Sequence, residues 1–354
     1  MTTRLEGTVS RIRPAEADIE RRTAQLLDAK TKPPRSLGKL EDLACRLAAI
    51  RGEVPAVALS PAIVVAAADH GVVGEGVSPY PQEVTGQMLA NFASGGAAVA
   101  VLAREAGARL VVIDAGVIGL PDVDGVRSEV VNGVRGTGNI ARGPAMQVPV
   151  ALGLIERGIV LADELAGDGV GILAVGDMGI GNTTAASALC AALLPADPAQ
   201  TCGPGTGLND AGVGRKVEVV RRALYANGLR TGSADPIATL ASLGGLEIAF
   251  LTGVILGAAS RRVPVLLDGF VTGATALVAS ALSPDAVGSL VAATRSPEPG
   301  HTLVLERLGL EPLLDLELRL GEGSGAALAL PLVRSAIAIL TDMATFEAAG
   351  VSRA

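Results

Sequence analysis

Four short apolar segments constrain the fold of this chain more than any other feature: each is strand-like, ends in Asp or Gly-Asp and is followed by a glycine-bearing loop. They are Ala62 to Ala68 before Asp69-His70-Gly71, Leu110 to Ile113 before Asp114-Ala115-Gly116, Gly171 to Val175 before Gly176-Asp177, and Val263 to Leu267 before Asp268-Gly269. Helical patterns separate them, with long helices expected over Ala97 to Ala106, Val150 to Leu165, Thr183 to Leu194, Val213 to Tyr225 and Leu328 to Ala348. Alternation of this kind predicts an α/β fold, a parallel sheet covered by helices on both faces, with ligands outside the carboxyl ends of the strands. Aspartate and glycine after one strand make a turn and need mean nothing more. Four such ends in series direct attention to those loops.

The core has to be built from small and aliphatic side chains, because 49% of the residues are hydrophobic while only 2% are aromatic and none is Trp. That suits helices lying close on a sheet. At 354 residues the chain exceeds the usual size of a single core. The first 50 residues read as helical up to a break at Lys32-Pro33-Pro34-Arg35-Ser36-Leu37-Gly38, and Arg295-Ser296-Pro297-Glu298-Pro299-Gly300-His301 forms a second break. A large α/β domain over 30–295 is therefore expected, with 1–29 and 296–354 forming one small, mainly helical domain.

A mean hydropathy of +0.46 raises the question of membrane spans, which need about 20 continuous apolar residues. None is expected: Ile248 to Ser260 is bracketed by Glu247 and Arg261-Arg262, and Gly269 to Pro284 is diluted by Thr, Ser and Gly. Arg4, Glu6, Arg11, Arg13 and Glu16 precede any apolar run, unlike a secretory signal. Cys45, Cys190 and Cys202 form no C-x-x-C pair, so reduced thiols and a cytoplasmic location are expected. With 29 basic against 36 acidic residues and no basic cluster, a nucleic-acid partner is not expected.

Chemistry gathers in three glycine-rich stretches. Gly176-Asp177-Met178-Gly179-Ile180-Gly181-Asn182-Thr183-Thr184 lies between an expected strand and an expected helix. There glycines admit an anion close to backbone N–H groups, and the helix start adds free donors and a positive dipole end. It lacks the Lys-Ser/Thr of a triphosphate loop and only partly matches G-x-G-x-x-G, so a single monophosphate fits best. A helix merely capped near Asn182 or Thr183 is the alternative. Gly203-Pro204-Gly205-Thr206-Gly207-Leu208 precedes a helix expected to carry Arg215 and Lys216 in its first turn, where a cation is unfavourable unless an anion lies near. Finally, Arg319-Leu320-Gly321-Glu322-Gly323-Ser324-Gly325 sets one carboxylate among glycines before an apolar helix. Beside apolar groups Glu322 would act as a general base near neutral pH, and in water it would be an ordinary loop glutamate. His70 and His301 read as positioning or satisfied residues, and two histidines argue against a His-based metal site.

Four segments taken together resemble one family: K-P-P-R-S-L-G-K-L-E-D-L from Lys32, D-H-G-V-V-G-E-G-V-S-P-Y-P-Q-E-V-T-G-Q-M from Asp69, the G-D-M-G-I-G-N-T-T loop, and R-L-G-E-G-S-G-A. The chain is similar, in order and over nearly its whole length, to nicotinate-nucleotide:dimethylbenzimidazole phosphoribosyltransferases of cobalamin lower-ligand assembly. The resemblance implies a homodimer with a Rossmann-like large domain and no metal or organic cofactor. It also implies that the phosphoribosyl group of nicotinate mononucleotide passes to 5,6-dimethylbenzimidazole, with Glu322 as the base. By the same likeness Gly179, Gly181, Asn182, Thr183 and Lys216 would meet the donor phosphate, with Gly205, Thr206 and Gly207 nearby. Asp177 would face the ribose hydroxyls, standing where many relatives carry Glu, and Ser296 would close over the nucleotide. The acceptor ring would lie by Tyr80, Gln87, Met88 and Leu320. Another benzimidazole, a purine or a phenol stays open as acceptor, because flat apolar slots discriminate weakly.

Overall fold

The computed structural model describes residues 3–55, 57–232 and 235–352, so residues 1, 2, 353 and 354 of the expected small domain lie outside the described residues. Six described strands form one all-parallel sheet: β1 (Pro61–Ala68), β2 (Arg109–Gly116), β3 (Val126–Ser128), β4 (Ile172–Met178), β5 (Val265–Leu267) and β6 (Leu290–Ala292). Their spatial order is β3-β2-β1-β4-β5-β6. This is the order of a doubly wound sheet, and its direction of winding reverses between β1 and β4, the point at which ligand crevices form in such sheets.

The alternation of side chains along β1 divides the core into two. Ala62, Val64, Ala66 and Ala68 join Leu173 and Val175 in one cluster, under the helices Val148–Gly167, Asn182–Leu193, Leu246–Ser260 and Phe270–Leu282. Ile63, Val65 and Ala67 join Ile172, Ala174 and Leu266 in the other, under Lys39–Arg51, Val84–Ser94, Ala98–Glu105 and Ser324–Asp342. Both faces of the central strands are thus dry, which is why these strands read as unbroken apolar runs. Small residues permit the close helix approach that the composition suggested. A Cβ on Gly158 would collide with the carbonyl oxygen of Phe250, and one on Gly253 with that of Ile155.

All four expected strands and all five expected helices are present, with shifted ends. β3 and β6 were not anticipated, because three-residue edge strands carry too little pattern to read. The helix expected over Leu328 to Ala348 begins at Ser324 and stops at Asp342, and Phe346–Ala349 forms a separate turn capped by the Thr345 hydroxyl. The stretches around 248–260 and 269–284 are buried helices, as read. Ser324–Asp342, however, is long and apolar enough to cross a membrane by composition alone, with 19 residues at a mean hydropathy of 1.6. It contacts β4 and β5 and supplies Ala326, Leu330 and Val333 to the second core. Val84–Glu105 also passes that test as a stretch, but Gly95, at φ +83°, divides it into two helices.

The chain's ends meet: Lys30 forms a bridge with Thr345, and the helices Ala17–Asp28 and Lys39–Arg51 pack together and against Ser324–Asp342. Thr3–Val9 lies instead on Val148–Gly167 and Leu246–Ser260. In the first proline break Lys32 donates to Glu41 at 2.7 Å, a buried ion pair that fixes the entry to the Lys39–Arg51 helix.

Candidate active site

The cleft opens at the carboxyl ends of β4 and β5, next to the reversal point. It is lined by Asp177, Gly179, Asn182, Thr183, Gly205, Thr206, Asp268, Thr294, Ser296, Glu298, Leu320 and neighbouring backbone. Asp177 is the penultimate residue of β4, and the Gly179–Gly181 loop leads directly into the Asn182–Leu193 helix. Gly181 caps that helix at φ +94° without any side-chain cap, so the helix start faces the cleft unaided. Behind the loop, Thr85 accepts from the Ile180 N–H at 3.1 Å, which ties the loop to the segment following Asp69.

Lys216 is the most telling group on this side. It is fully buried, and its ammonium donates to the Thr183 hydroxyl at 2.9 Å and the Gly203 carbonyl at 3.3 Å. Among the described residues no carboxylate lies within ion-pair distance of it. Burial lowers its pKa, and the negative charge of Glu298 partly counters that. A desolvated ammonium with only neutral acceptors is unstable unless an anion joins it, and so marks an anion site. The expectation that Lys216 lies in the first turn of its helix fails, because the helix begins at Asp210 under an Asn209 cap. The dipole argument therefore falls away, and burial replaces it. Glu298, itself buried, accepts from the Gly205 N–H at 2.7 Å and leaves its other carboxylate oxygen without a partner.

Glu322 adjoins Gly321, which lines the cleft beside Leu320 and Ser324. It is 5% exposed and adopts φ +65° between Gly321 at +80° and Gly323 at +85°. A left-handed glutamate costs about 1 kcal/mol or more, and such strain persists only where surrounding structure enforces it. The enforcement is visible. The Glu322 N–H donates to the Asp177 carbonyl at 3.2 Å, the Ser324 hydroxyl donates to the Gly321 carbonyl at 2.6 Å, and the loop lies so close on β4 that a Cβ on Gly176 would meet Gly323 N and the Glu322 carbonyl. Burial first, and the Asp268 carboxylate second, push the Glu322 pKa up to about 7. Asp268 is itself raised to about 6 by burial, held from rising further by backbone N–H groups. Asp177 is pushed well above the usual carboxylate range by burial, Asp268 and Glu247, although its carboxylate accepts from the Asn182 amide at 2.8 Å.

The structure brings most of the anticipated residues together. Asp177, Gly179, Asn182, Thr183, Gly205, Thr206, Ser296 and Leu320 line the cleft, while Gly181, Gly207, Lys216 and Glu322 do not line it themselves and adjoin residues that do: Asn182, Thr206, Thr183 and Gly321. The Ser78 hydroxyl lies 3.4 Å from that of Thr206 and links the segment bearing Tyr80 to the second glycine loop. Tyr80 is half-exposed, Met88 packs partly against the second core, and Gln87 lines a neighbouring hollow with Asp69, Gln82 and Ile118. Those three are not gathered with Leu320 into one cavity. His70 is buried, its Nε2 2.8 Å from Glu247 Oε1, and His301 Nδ1 accepts from the Ser296 N–H at 2.9 Å. Sequence reading missed Glu298, which carried a signal only as part of a proline-rich break, and Thr294, which carried none.

Comparison with known proteins gives a consistent result. A family profile described as phosphoribosyltransferase matches residues 12–351. The nicotinate-nucleotide–dimethylbenzimidazole phosphoribosyltransferase of Salinispora tropica is 48% identical, over 99% of each chain. That of Chloroflexus aggregans is 47% identical, over 98% of each. Among solved structures, the enzyme of the same name from Thermus thermophilus superimposes with a TM-score of 0.88 at 47% identity, covering 96% of this chain and 100% of its own.

Proposed function

Since the chain belongs to the phosphoribosyltransferase family, we propose that it transfers the 5-phosphoribosyl group of nicotinate mononucleotide to 5,6-dimethylbenzimidazole, giving α-ribazole 5′-phosphate and nicotinate for cobalamin lower-ligand assembly. One benzimidazole nitrogen attacks C1′ as the bond to the nicotinate nitrogen breaks, and that electron pair returns to the pyridine ring. Positive charge moves onto the benzimidazole, whose second nitrogen gives its proton to Glu322. A single displacement from the face opposite the leaving group accounts for the change from β to α at C1′. Lys216, Thr183 and the glycine loops anchor the phosphate, Asp177 faces the ribose, and the acceptor enters by Tyr80, Gln87, Met88 and Leu320.

The observation that supports this reading best is Glu322: a buried, left-handed carboxylate raised to about 7 is a base matched to neutral pH. Lys216 supports the anchoring half, as a buried ammonium lacking an ion-pair partner among the described residues. We extend the reading to a homodimer working in the cytoplasm, in keeping with three buried, unpaired cysteines. Residues 1–29 and 296–354 are read as one unit carrying the Glu322 loop, supported by the Phe346 N–H donating to the Ala29 carbonyl at 3.2 Å and by the packing of Ala17–Asp28 on Ser324–Asp342. Incubation of the protein with nicotinate mononucleotide and dimethylbenzimidazole, followed by mass analysis, should show nicotinate and ribazole phosphate formed in equal amounts. Absence of both at high enzyme concentration refutes the proposal.

A further inference from the structure

The helix Ser324–Asp342 has no cap in its own sequence, since Gly323 stands at its cap position and offers no side chain. The cap comes from the end of β5. Asp268 Oδ2 accepts from the Gly323 N–H at 3.1 Å and Oδ1 from the Ala326 N–H at 3.0 Å, so one carboxylate grips the chain immediately after Glu322 and again three residues on. Asp268 is held in turn, because the Thr294 hydroxyl donates to its carbonyl at 2.7 Å. It is 3% exposed, and a Cβ on Gly325 would come within 2.9 Å of Oδ1, so the close fit depends on glycine there. With the Glu322 N–H fastened to Asp177 on β4, the strained turn is pinned from two adjacent strand ends.

We propose that Asp268 is the positioning residue of the base, holding the Gly321–Gly323 turn in its left-handed form so that the Glu322 carboxylate stays seated at the cleft. The inference rests on Glu322 as base. Asp268 also acts through its charge: its pKa of about 6 leaves it ionised at neutral pH, where it raises that of Glu322. The other charged groups lining the cleft are Asp177 on β4, Arg319 on the same loop and Glu298, with Lys216 buried against Thr183 and Gly203. Asp177 also holds the turn, but through its main-chain carbonyl, and the pKa of its carboxylate is raised chiefly by burial and in part by Glu322, whereas Asp268 grips the turn with the carboxylate itself.

The test is the pH dependence of kcat and kcat/KM for Asp268→Asn and Asp268→Glu, with nicotinate mononucleotide as varied donor and thermal melting as the check on folding. Asp268→Asn removes the charge and presents an amide to one of the two N–H groups. Its kcat should fall about 10- to 100-fold through loss of alignment, with donor KM within about threefold. The acid limb of kcat/KM should move about one pH unit lower as repulsion of Glu322 is lost. Asp268→Glu keeps the charge but displaces the grip, so kcat should fall while the limb stays in place. Wild-type kcat with an unmoved limb in Asp268→Asn overturns the proposal, and so does a rise in donor KM that accounts for the whole loss. If Asp268→Asn does not fold, Asp268→Glu decides, since wild-type kcat there is incompatible with a positioning role. Glu322→Gln run in parallel separates the two ideas: normal turnover in that variant removes the base itself, whereas an inactive Glu322→Gln beside a normal Asp268→Asn removes only the positioning role.

Discussion

Two regions at the same sheet ends are both buried, but one turns on a buried ammonium, Lys216, and the other on the buried carboxylates Glu322, Asp268 and Asp177. On one side Lys216 loses proton affinity through burial, and on the other Glu322, Asp268 and Asp177 gain it. In both cases desolvation disfavours the ionised form. The cures differ. In the proposed reaction a phosphate brought by the donor would relieve the ammonium, and a proton surrendered by the acceptor would relieve the carboxylate. Each substrate of the proposed reaction thus carries what one side lacks, and neither side completes the other on its own.

The comparison is broken most severely by removing one carboxylate charge. Glu322→Gln, which keeps the shape and the left-handed backbone, should lower turnover by roughly 10²- to 10⁴-fold, the range for loss of a general base. Donor affinity, measured by isothermal titration with nicotinate mononucleotide, should hardly change. A large loss of donor affinity would mean that the two sides are not separable. The converse variant, Lys216→Ala, should raise the donor KM about 10- to 100-fold, as expected for a buried charge-assisted contact. An unchanged donor KM would place the phosphate elsewhere.

A subtler test is the wild-type pH profile. Glu322 must be deprotonated to accept a proton, and its pKa is raised to about 7. Therefore kcat/KM should rise with pH through about that value and fall about tenfold per unit below it. Activity that stays level down to pH 5 would show that no raised carboxylate limits the reaction.

How much of this was legible in sequence depends on whether the partners are local. The Gly176–Thr184 stretch declared itself because strand end, loop and helix start are contiguous. The four strand-end aspartates looked alike, but their duties split. Asp114 accepts from the Gly116 and Val117 N–H groups at 2.9 and 2.8 Å and pairs with Arg135, while Asp69 accepts from the Ile118 N–H at 2.7 Å. Those two shape loops, whereas Asp177 and Asp268 line the cleft. Strand order decides between the duties, and it is a property of the whole sheet. The same holds for the late start assigned to the last long helix, whose cap comes from a residue 55 positions before Gly323. Lys216 was singled out for its position on a helix, but what distinguishes it is burial by the 203–208 loop and Thr183, which only the folded chain supplies.

The smallest expected effect concerns stability, and it follows from the sign of the Glu322 shift. Its folded pKa, about 7, lies above the ordinary value of 4.5, so the folded state keeps a proton that the unfolded chain has released. Wild-type stability from this group therefore declines as pH rises from about 4.5 to about 7, and the whole penalty is present above that range. Glu322→Gln has no charge to bury and avoids it. Allowing for partial solvent screening, the gain at pH 8 should be on the order of 1–2 kcal/mol, or about 1–3 °C in Tm for a chain of this size. It should shrink toward zero by about pH 4.5, in contrast to the loss of turnover, which is greatest where the wild-type base is ionised. Melting curves of both proteins at pH 5 and pH 8 measure it, and a variant less stable than wild type at pH 8 would show that the glutamate charge is not held at a cost.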